Sequence, residues 1–342
     1  MTETTKTMSN TILEFDELSI RYQTRDRGDI HAVTDASFSI NDGEYFGLVG
    51  ESGCGKSTIA KSIIGGLDQN GMVASGEIKY DGTEIQDYSE KELNDEIRWK
   101  QISMIPQSSM NSLDPIMKLS DQAVQLANEH TDWGEKKALN KFQELFDIVG
   151  LSQDRIHDYP HQFSGGMQQR AIIALAMFLE PDLVIADEPT TALDVIMQDQ
   201  IFKYMNKVKS EKDVSMLLIT HDISLVFEHC DRMAVMHGGQ IAERGSVTDI
   251  FDNPHHPYSY LLQQSFPDIR YPNRELSVIE GQPPELDHEV DYCTFADRCP
   301  LSIEECRTDS PPDELIEKGH SAACIRHDEI DLLIEEVTHE HD

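Results

Sequence analysis

Residues 45–58 read Tyr45-Phe46-Gly47-Leu48-Val49-Gly50-Glu51-Ser52-Gly53-Cys54-Gly55-Lys56-Ser57-Thr58. The first five form a short apolar run with the character of a buried strand, and residues 59–67 carry apolar positions at helical spacing around Gly65 and Gly66. A strand, a glycine loop and a helix in that order form the setting in which backbone N–H groups can curl around a phosphate. In such a loop Gly50, Glu51, Ser52, Gly53, Cys54 and Gly55 form the cradle, and Lys56 reaches the β and γ oxygens of a nucleoside triphosphate. Ser57 offers the hydroxyl that ligates Mg²⁺, and Thr58 lies where it can touch the α-phosphate. A glycine turn with an incidental lysine is the plain alternative, and the flanking strand and helix weigh against it.

Working outward, residues 12–22 alternate apolar and polar side chains as a half-buried strand does, and residues 36–40 before the turn Asn41-Asp42-Gly43 predict another. Residues 110–181 turn helical, with 136–149 (KKALNKFQELFDIV) the clearest amphipathic piece. Residues 183–186 and 216–219 are continuous apolar runs of the kind a parallel sheet buries on both faces. They end in Asp187-Glu188 and Thr220-His221, and in open α/β sheets ligands lie beyond the carboxyl ends of the strands. Asp187 stands where a second Mg²⁺ carboxylate belongs, and Glu188 where a carboxylate could orient and deprotonate the attacking water. Solvated surface is the alternative for an acidic pair. The fold expected is α/β, a P-loop NTPase with an antiparallel strand subdomain and a helical subdomain over about 108–180. A boundary is expected near 260, where prolines 254, 257, 267, 272, 283 and 284 begin to accumulate. Residues 1–10 read as an N-terminal tail, 11–260 as the ATPase domain, 261–327 as a cysteine-bearing extension and 328–342 as an acidic tail.

The chain has 342 residues and a formal net charge of −35, which argues against unaided binding to nucleic-acid phosphates. At roughly 150 residues per domain the length suggests about two domains. No stretch reaches the roughly 18 uncharged apolar residues of a membrane-spanning helix, and residues 1–10 lack a secretory apolar region. A cytoplasmic protein is expected, peripheral to the membrane if membrane-associated. The acidic excess runs through the whole chain and suits a salt-rich cytoplasm, such as that of a halophilic archaeon; solubility at ordinary ionic strength is the alternative. Cys54 reads as a small residue that fits its loop and Cys230 as core. Cys293, Cys299, Cys306 and Cys324 crowd the last fifth of the chain. In a reducing compartment such clustering points to metal, although without a CxxC pair geometry does not decide between zinc and iron–sulfur, and four free thiols stay open.

Phe163-Ser164-Gly165-Gly166-Met167-Gln168-Gln169-Arg170 closely resembles the signature sequence of ABC-type ATPases. Physically, Ser164 is placed to N-cap a helix whose first N–H groups Gly165 and Gly166 leave open, an anion site without a lysine. The resemblance implies that this site, with Met167, closes on the γ-phosphate held by a partner subunit's P-loop. Further residues match the family: Gln107 looks like the Q-loop glutamine that ligates Mg²⁺ and water, Ala192-Leu193-Asp194 like the D-loop, and His221 like the switch histidine. Tyr22 is the candidate for stacking on adenine, with a packed strand tyrosine as the alternative.

Within ABC ATPases the chain looks most like the dipeptide and oligopeptide importers, which include nickel importers. The residues that carry this are ADEPTTALDV at 186–195, the Ser164-Gly165-Gly166-Met167 form of the signature and PHHPY at 254–258. These variants resemble the first of two paralogous ATPases. The implied partners are a second such ATPase in a heterodimer, two membrane permease subunits and an extracellular solute-binding protein, with no nucleic acid. One departure is that Pro106 and Ser108 flank Gln107 where bacterial members usually carry Phe and an acidic residue. Phe295-Ala296-Asp297-Arg298-Cys299-Pro300 looks like the family's C-terminal region, in which four cysteines can hold a [4Fe–4S] cluster; zinc and free thiols remain the alternatives. The function expected is an ATPase subunit, with Glu188, His221 and Lys56 catalytic, driving import of peptides or of another solute such as nickel or an oligosaccharide. Rivals are a non-transport ABC ATPase, which would carry a coiled-coil insert or a second cassette, and an ATP-binding redox module without turnover.

Overall fold

The computed structural model describes residues 11–25, 28–107, 112–191, 194–212, 214–266 and 278–333. A hairpin of β1 (Thr11–Thr24) and β2 (Gly28–Asn41) comes first, then β3 (Tyr45–Val49), which runs into α1 (Lys56–Ile63). β4 (Gly71–Tyr80), β5 (Thr83–Glu84), the single turn α2 (Glu90–Glu92) and β6 (Ile102–Ile105) follow. Helices α3 (Leu119–His130), α4 (Glu135–Ile148) and α5 (Gly165–Ala176) form the helical part. The chain returns through β7 (Leu183–Asp187), α6 (Val195–Lys212), β8 (Ser215–Thr220), α7 (Ile223–His229), β9 (Arg232–His237) and β10 (Gln240–Ser246). It closes with α8 (Val247–Asp252), α9 (Pro257–Gln264), β11 (Glu314–Glu317) and β12 (His320–Ala322).

Among the described residues the strands form two sheets, one in the order β2-β1-β4-β5 and one in the order β11-β12-β10-β9-β3-β8-β7-β6. From β9 to β6 the large sheet is parallel. Every residue of β3, β7 and β8 is buried, as the continuous apolar runs predict. One face of this sheet packs on the antiparallel sheet through Phe15, Phe38 and Phe46, with Phe38 stacked on Phe46 and tilted against Phe15. α1 packs on this same face through Ile59, Ala60 and Ile63, while the other face carries α3 to α9, and α4 buries Ala138, Phe142, Leu145 and Phe146 at helical spacing.

Some boundaries differ from the sequence reading. The strand expected over 36–40 is the end of one that starts at Gly28. The first helix starts at Lys56 and ends at Ile63, because Gly65 takes φ 61° and the N–H groups of Gly65 and Gly66 return to the Ser62 and Lys61 carbonyls. Ser108, Met110, Ala192, Leu193, Pro267, Pro272, the tail 1–10 and residues 334–342 lie outside the described residues.

Beyond residue 278 the chain joins the large sheet. β12 pairs antiparallel with β10, setting Glu243 opposite Ala322, and β11 pairs with β12. Glu243, 1% exposed, accepts hydrogen bonds from His320 Nε2 at 2.8 Å and from the backbone N–H groups of His255 and His256. A buried carboxylate so surrounded ties β10, the start of α9 and the extension together.

Candidate active site

The loop after β3 is shaped by backbone that only glycine allows. Gly55 has φ 108°, and a Cβ there would stand 2.3 Å from the Ala32 carbonyl oxygen; one on Gly50 would stand 2.0 Å from that of Met236. Lys56 is 5% exposed, and its Nζ donates to the carbonyls of Gly50 and Glu51, each at 2.8 Å. The ammonium is thus held inside the curl of residues 50–55, where a phosphate chain would meet it. Cys54 is buried with its Sγ 3.6 Å from Lys56 Nζ, so it fills space in the loop wall, and burial pushes its thiol pKa up. Ser52, Gly53 and Thr58 complete the loop and the first turn of α1.

Two carboxylates end β7. Asp187, 2% exposed, accepts a hydrogen bond from Ser57 Oγ at 3.0 Å. Burial raises its pKa above the ordinary aspartate value, and a divalent cation beside it and Ser57 would favour the ionised form. The hydroxyl, the carboxylate and the adjoining lysine match a Mg²⁺–nucleotide in donor chemistry. Glu188 has φ 47°, uncommon for a residue with a side chain. Its N–H donates to the Ile219 carbonyl at 2.8 Å, which locks the turn onto β8. Its carboxylate meets His221 Nδ1 at 3.1 Å, Gln107 Nε2 at 2.9 Å and Thr191 Oγ1 at 2.9 Å. Burial pushes the Glu188 pKa up, but these three hydrogen bonds outweigh it and hold the carboxyl below its usual range. The structure therefore brings Glu188, His221 and Gln107 together, with Gln107 on Glu188.

At the start of α5, Ser164 occupies the N-cap position with extended backbone, and its carbonyl accepts from the Met167 and Gln168 N–H groups. Its hydroxyl makes no capping bond, which corrects the expected side-chain cap: the exposed side chain is left free. A Cβ on Gly166 would fall 2.2 Å from Cε of Met197 on α6, so the flexible end of that methionine side chain would have to shift. With Gly165 beside Gly166, no acidic or basic residue occupies the first turn. Asp194 caps α6 through Oδ1, which accepts from the Met197 N–H at 2.9 Å. Tyr22 pairs with Ile30 and Gly71 in the antiparallel sheet, its half-buried ring against Gly71.

Residues 33–191 match the family model described as ABC transporter, and residues 242–306 the one described as oligopeptide/dipeptide transporter, C-terminal region. Across 93% of the chain, 39% of residues are identical to the oligopeptide transport ATP-binding protein OppD of Salmonella typhimurium, of which 94% is covered. The chain belongs to the ABC-transporter ATP-binding family. The dipeptide transport ATP-binding protein DppD of Bacillus subtilis is 40% identical over 88% of this chain and 91% of its own. Among solved structures, the ATP-binding cassette MJ0796, a post-hydrolysis dimer bound to ADP and Pi, matches 69% of this chain and 98% of its own. Its TM-score is 0.59 at 26% identity.

The part of this ABC cassette that the oligopeptide/dipeptide model matches holds three of the clustered cysteines. Cys293, Cys299, Cys306 and Cys324 line one cavity of about 20 Å³, with room for about one water. Backbone N–H groups of Phe295, Ala296, Leu301 and Arg326 point at three of the sulfurs, a pattern that favours thiolates. Burial still pushes Cys299 and Cys324 up to about 12. Among the described residues no group of three or more His, Cys, Asp or Glu is placed to hold a metal ion. The donor set thus suits the iron–sulfur cluster expected from sequence, but the side chains as placed do not converge on one ion. Cys230 packs against the core as expected.

Sequence reasoning missed the loop's links to the extension. Glu51 is bridged by Arg298, its N–H donates to Tyr258 Oη at 3.0 Å, and His237 lies alongside. The available signal was Glu51 itself, an acid inside a phosphate loop.

No helix of the described residues is long and apolar enough to cross a membrane.

Proposed function

We propose that the chain binds Mg-ATP and hydrolyses it to energise import of oligopeptides or dipeptides, as the ABC ATPase subunit of a membrane transporter. The observation that carries the reading is Glu188, a carboxylate kept ionised by His221, Gln107 and Thr191 beside the Ser57–Asp187 pair and Lys56. The peptide class rests on the match of residues 242–306 and on the OppD and DppD relatives.

In this reading residues 50–58 cradle the phosphates, Lys56 neutralises the β and γ oxygens, and Tyr22 faces adenine. Ser57 and Asp187, with Gln107, would hold Mg²⁺, which when bound supplies charge neutralisation on the phosphate oxygens. Glu188 orients the attacking water and takes its proton, and His221 contacts the γ-phosphate as the switch histidine. Ser164, Gly165, Gly166 and Met167, with Asp194, face the ATP of a second ATPase, a paralogue for which this chain is the first partner. Two permease subunits and a solute-binding protein complete the transporter, with this chain peripheral on the cytoplasmic face. The domain scheme is 11–260 for the ATPase and 261–327 for the extension, and the acidic surface suits a halophilic archaeal host. The four cysteines hold a [4Fe–4S] cluster, for which their thiols must rearrange from the positions described.

Glu188→Gln tests the catalytic assignment. Mg-ATP binding should be kept while kcat falls by about 10² or more. Turnover at the wild-type rate would refute the role of Glu188.

A further inference from the structure

A carboxylate inside a phosphate loop is a liability, since it repels a triphosphate and can pair with the lysine that the triphosphate needs. Glu51 is such a group. Its backbone carbonyl already accepts from Lys56 Nζ at 2.8 Å, while its side chain is drawn away from the loop by Arg298. The guanidinium binds it in a fork, Nη1 to Oε2 at 2.6 Å and Nη2 to Oε1 at 2.8 Å.

Arg298 is fixed in turn by the extension. Nε donates to the Glu280 carbonyl at 2.9 Å, Nη2 also to that of Ile279 at 3.3 Å, and Nη1 also to His237 Nε2 at 3.3 Å. All five guanidinium N–H groups therefore have acceptors. The His237 ring can accept because its Nδ1 faces Thr294 Oγ1 at 3.0 Å, whose own hydroxyl proton goes to the His237 carbonyl at 3.1 Å. The Arg298 side chain is 6% exposed. An arginine so enclosed has one orientation, and a lysine offers neither the fork nor the five donors.

We propose that Arg298 is a positioning residue of the nucleotide site: it holds the Glu51 carboxylate out of the phosphate cradle and neutralises it, leaving Lys56 free for the triphosphate. The inference rests on the ATPase reading above and assigns the C-terminal extension a direct part in nucleotide affinity.

The test measures Mg-ATP binding by calorimetry and steady-state ATPase rates on the full chain and three variants. Arg298→Gln should raise Kd and KM for Mg-ATP about tenfold, equivalent to about 1.4 kcal/mol, with kcat at saturation changed less than about threefold. Arg298→Lys should raise Kd about threefold. In the double variant Glu51→Gln/Arg298→Gln, with the carboxylate gone, Kd should return to within about threefold of wild type. A role of Arg298 in folding the extension alone would not be relieved by changing Glu51. Wild-type Kd in folded Arg298→Gln, or a double variant as weak as Arg298→Gln, would overturn the proposal. Should Arg298→Gln fail to fold, wild-type Kd in Arg298→Lys overturns it equally. A wild-type chain that binds no Mg-ATP would refute the ATPase reading instead.

Discussion

Acid should weaken this fold through two histidines buried beneath the phosphate-binding loop. His237 and His256 are 1% and 3% exposed. His256 Nδ1 accepts from the Tyr258 N–H at 3.0 Å, and His237 lies against Arg298 and Thr294. Burial pulls His237 down to about 4, with Arg298 adding to the effect and Glu51 opposing it. Burial pulls His256 down to about 3. In the unfolded chain both titrate near 6.5. Below that pH the unfolded state binds protons that the folded state refuses, so stability falls as pH drops from about 6.5 toward the folded values. At pH 5 each histidine lies ~1.5 pH units below its unfolded value, which costs ~2 kcal/mol, or up to ~4 kcal/mol for the pair. Against a total of ~5–15 kcal/mol for a domain, that is a large share. Asp187 and Glu44, whose pKa values burial raises, act in the opposite sense. Urea unfolding at fixed KCl and pH 7, 6 and 5 reads the effect. The slope near pH 5 should approach two protons in the wild type. In His256→Gln, whose amide oxygen can still accept from Tyr258, it should fall by about one. A flat profile between pH 7 and 5, or an unchanged slope in His256→Gln, would refute the reasoning.

Gly55→Ala sets a Cβ 2.3 Å from the Ala32 backbone oxygen at φ 108°, so a loss of ~1–3 kcal/mol in urea stability and of Mg-ATP binding is expected; normal binding in calorimetry would contradict it. Ser164→Ala removes a hydroxyl that makes no capping bond, so stability should change by less than ~0.5 kcal/mol, against ~1 for a working cap, while ATPase turnover falls. A melting shift without loss of turnover would reverse that assignment. Chain purified anaerobically in molar KCl should absorb broadly in the visible and contain iron and sulfide; stoichiometric zinc or no metal would remove the cluster.

What could be read in advance was what repeats locally. The runs at 183–186 and 216–219 have no polar break, and a strand buried on both faces has that composition and few alternatives. The loop from Gly50 to Thr58 lies within nine residues, which places Lys56 and Ser57 together, and the ends of the two apolar runs place Asp187, Glu188 and His221 beside it. Gly28 to Asp35 was not legible: register shifts within the β1–β2 pairing break the alternation that marks a strand. The fork between Glu51 and Arg298 joins residues 247 apart in sequence, and no periodicity spans such a distance. The same holds for β12 beside β10, since a three-residue strand among prolines and turns leaves almost no pattern.

That short strand bears on solubility. Without it, β10 would end the large sheet with the backbone N–H and C=O groups of Glu243 and Arg244 unpaired, and Glu243 would lose its histidine. An open edge beside a stranded buried acid is a template for another chain. A protein cut back before His320 would therefore tend to pair edge to edge with its own copies, so trimming the chain to a minimal cassette would trade a cysteine-bearing appendage for self-association.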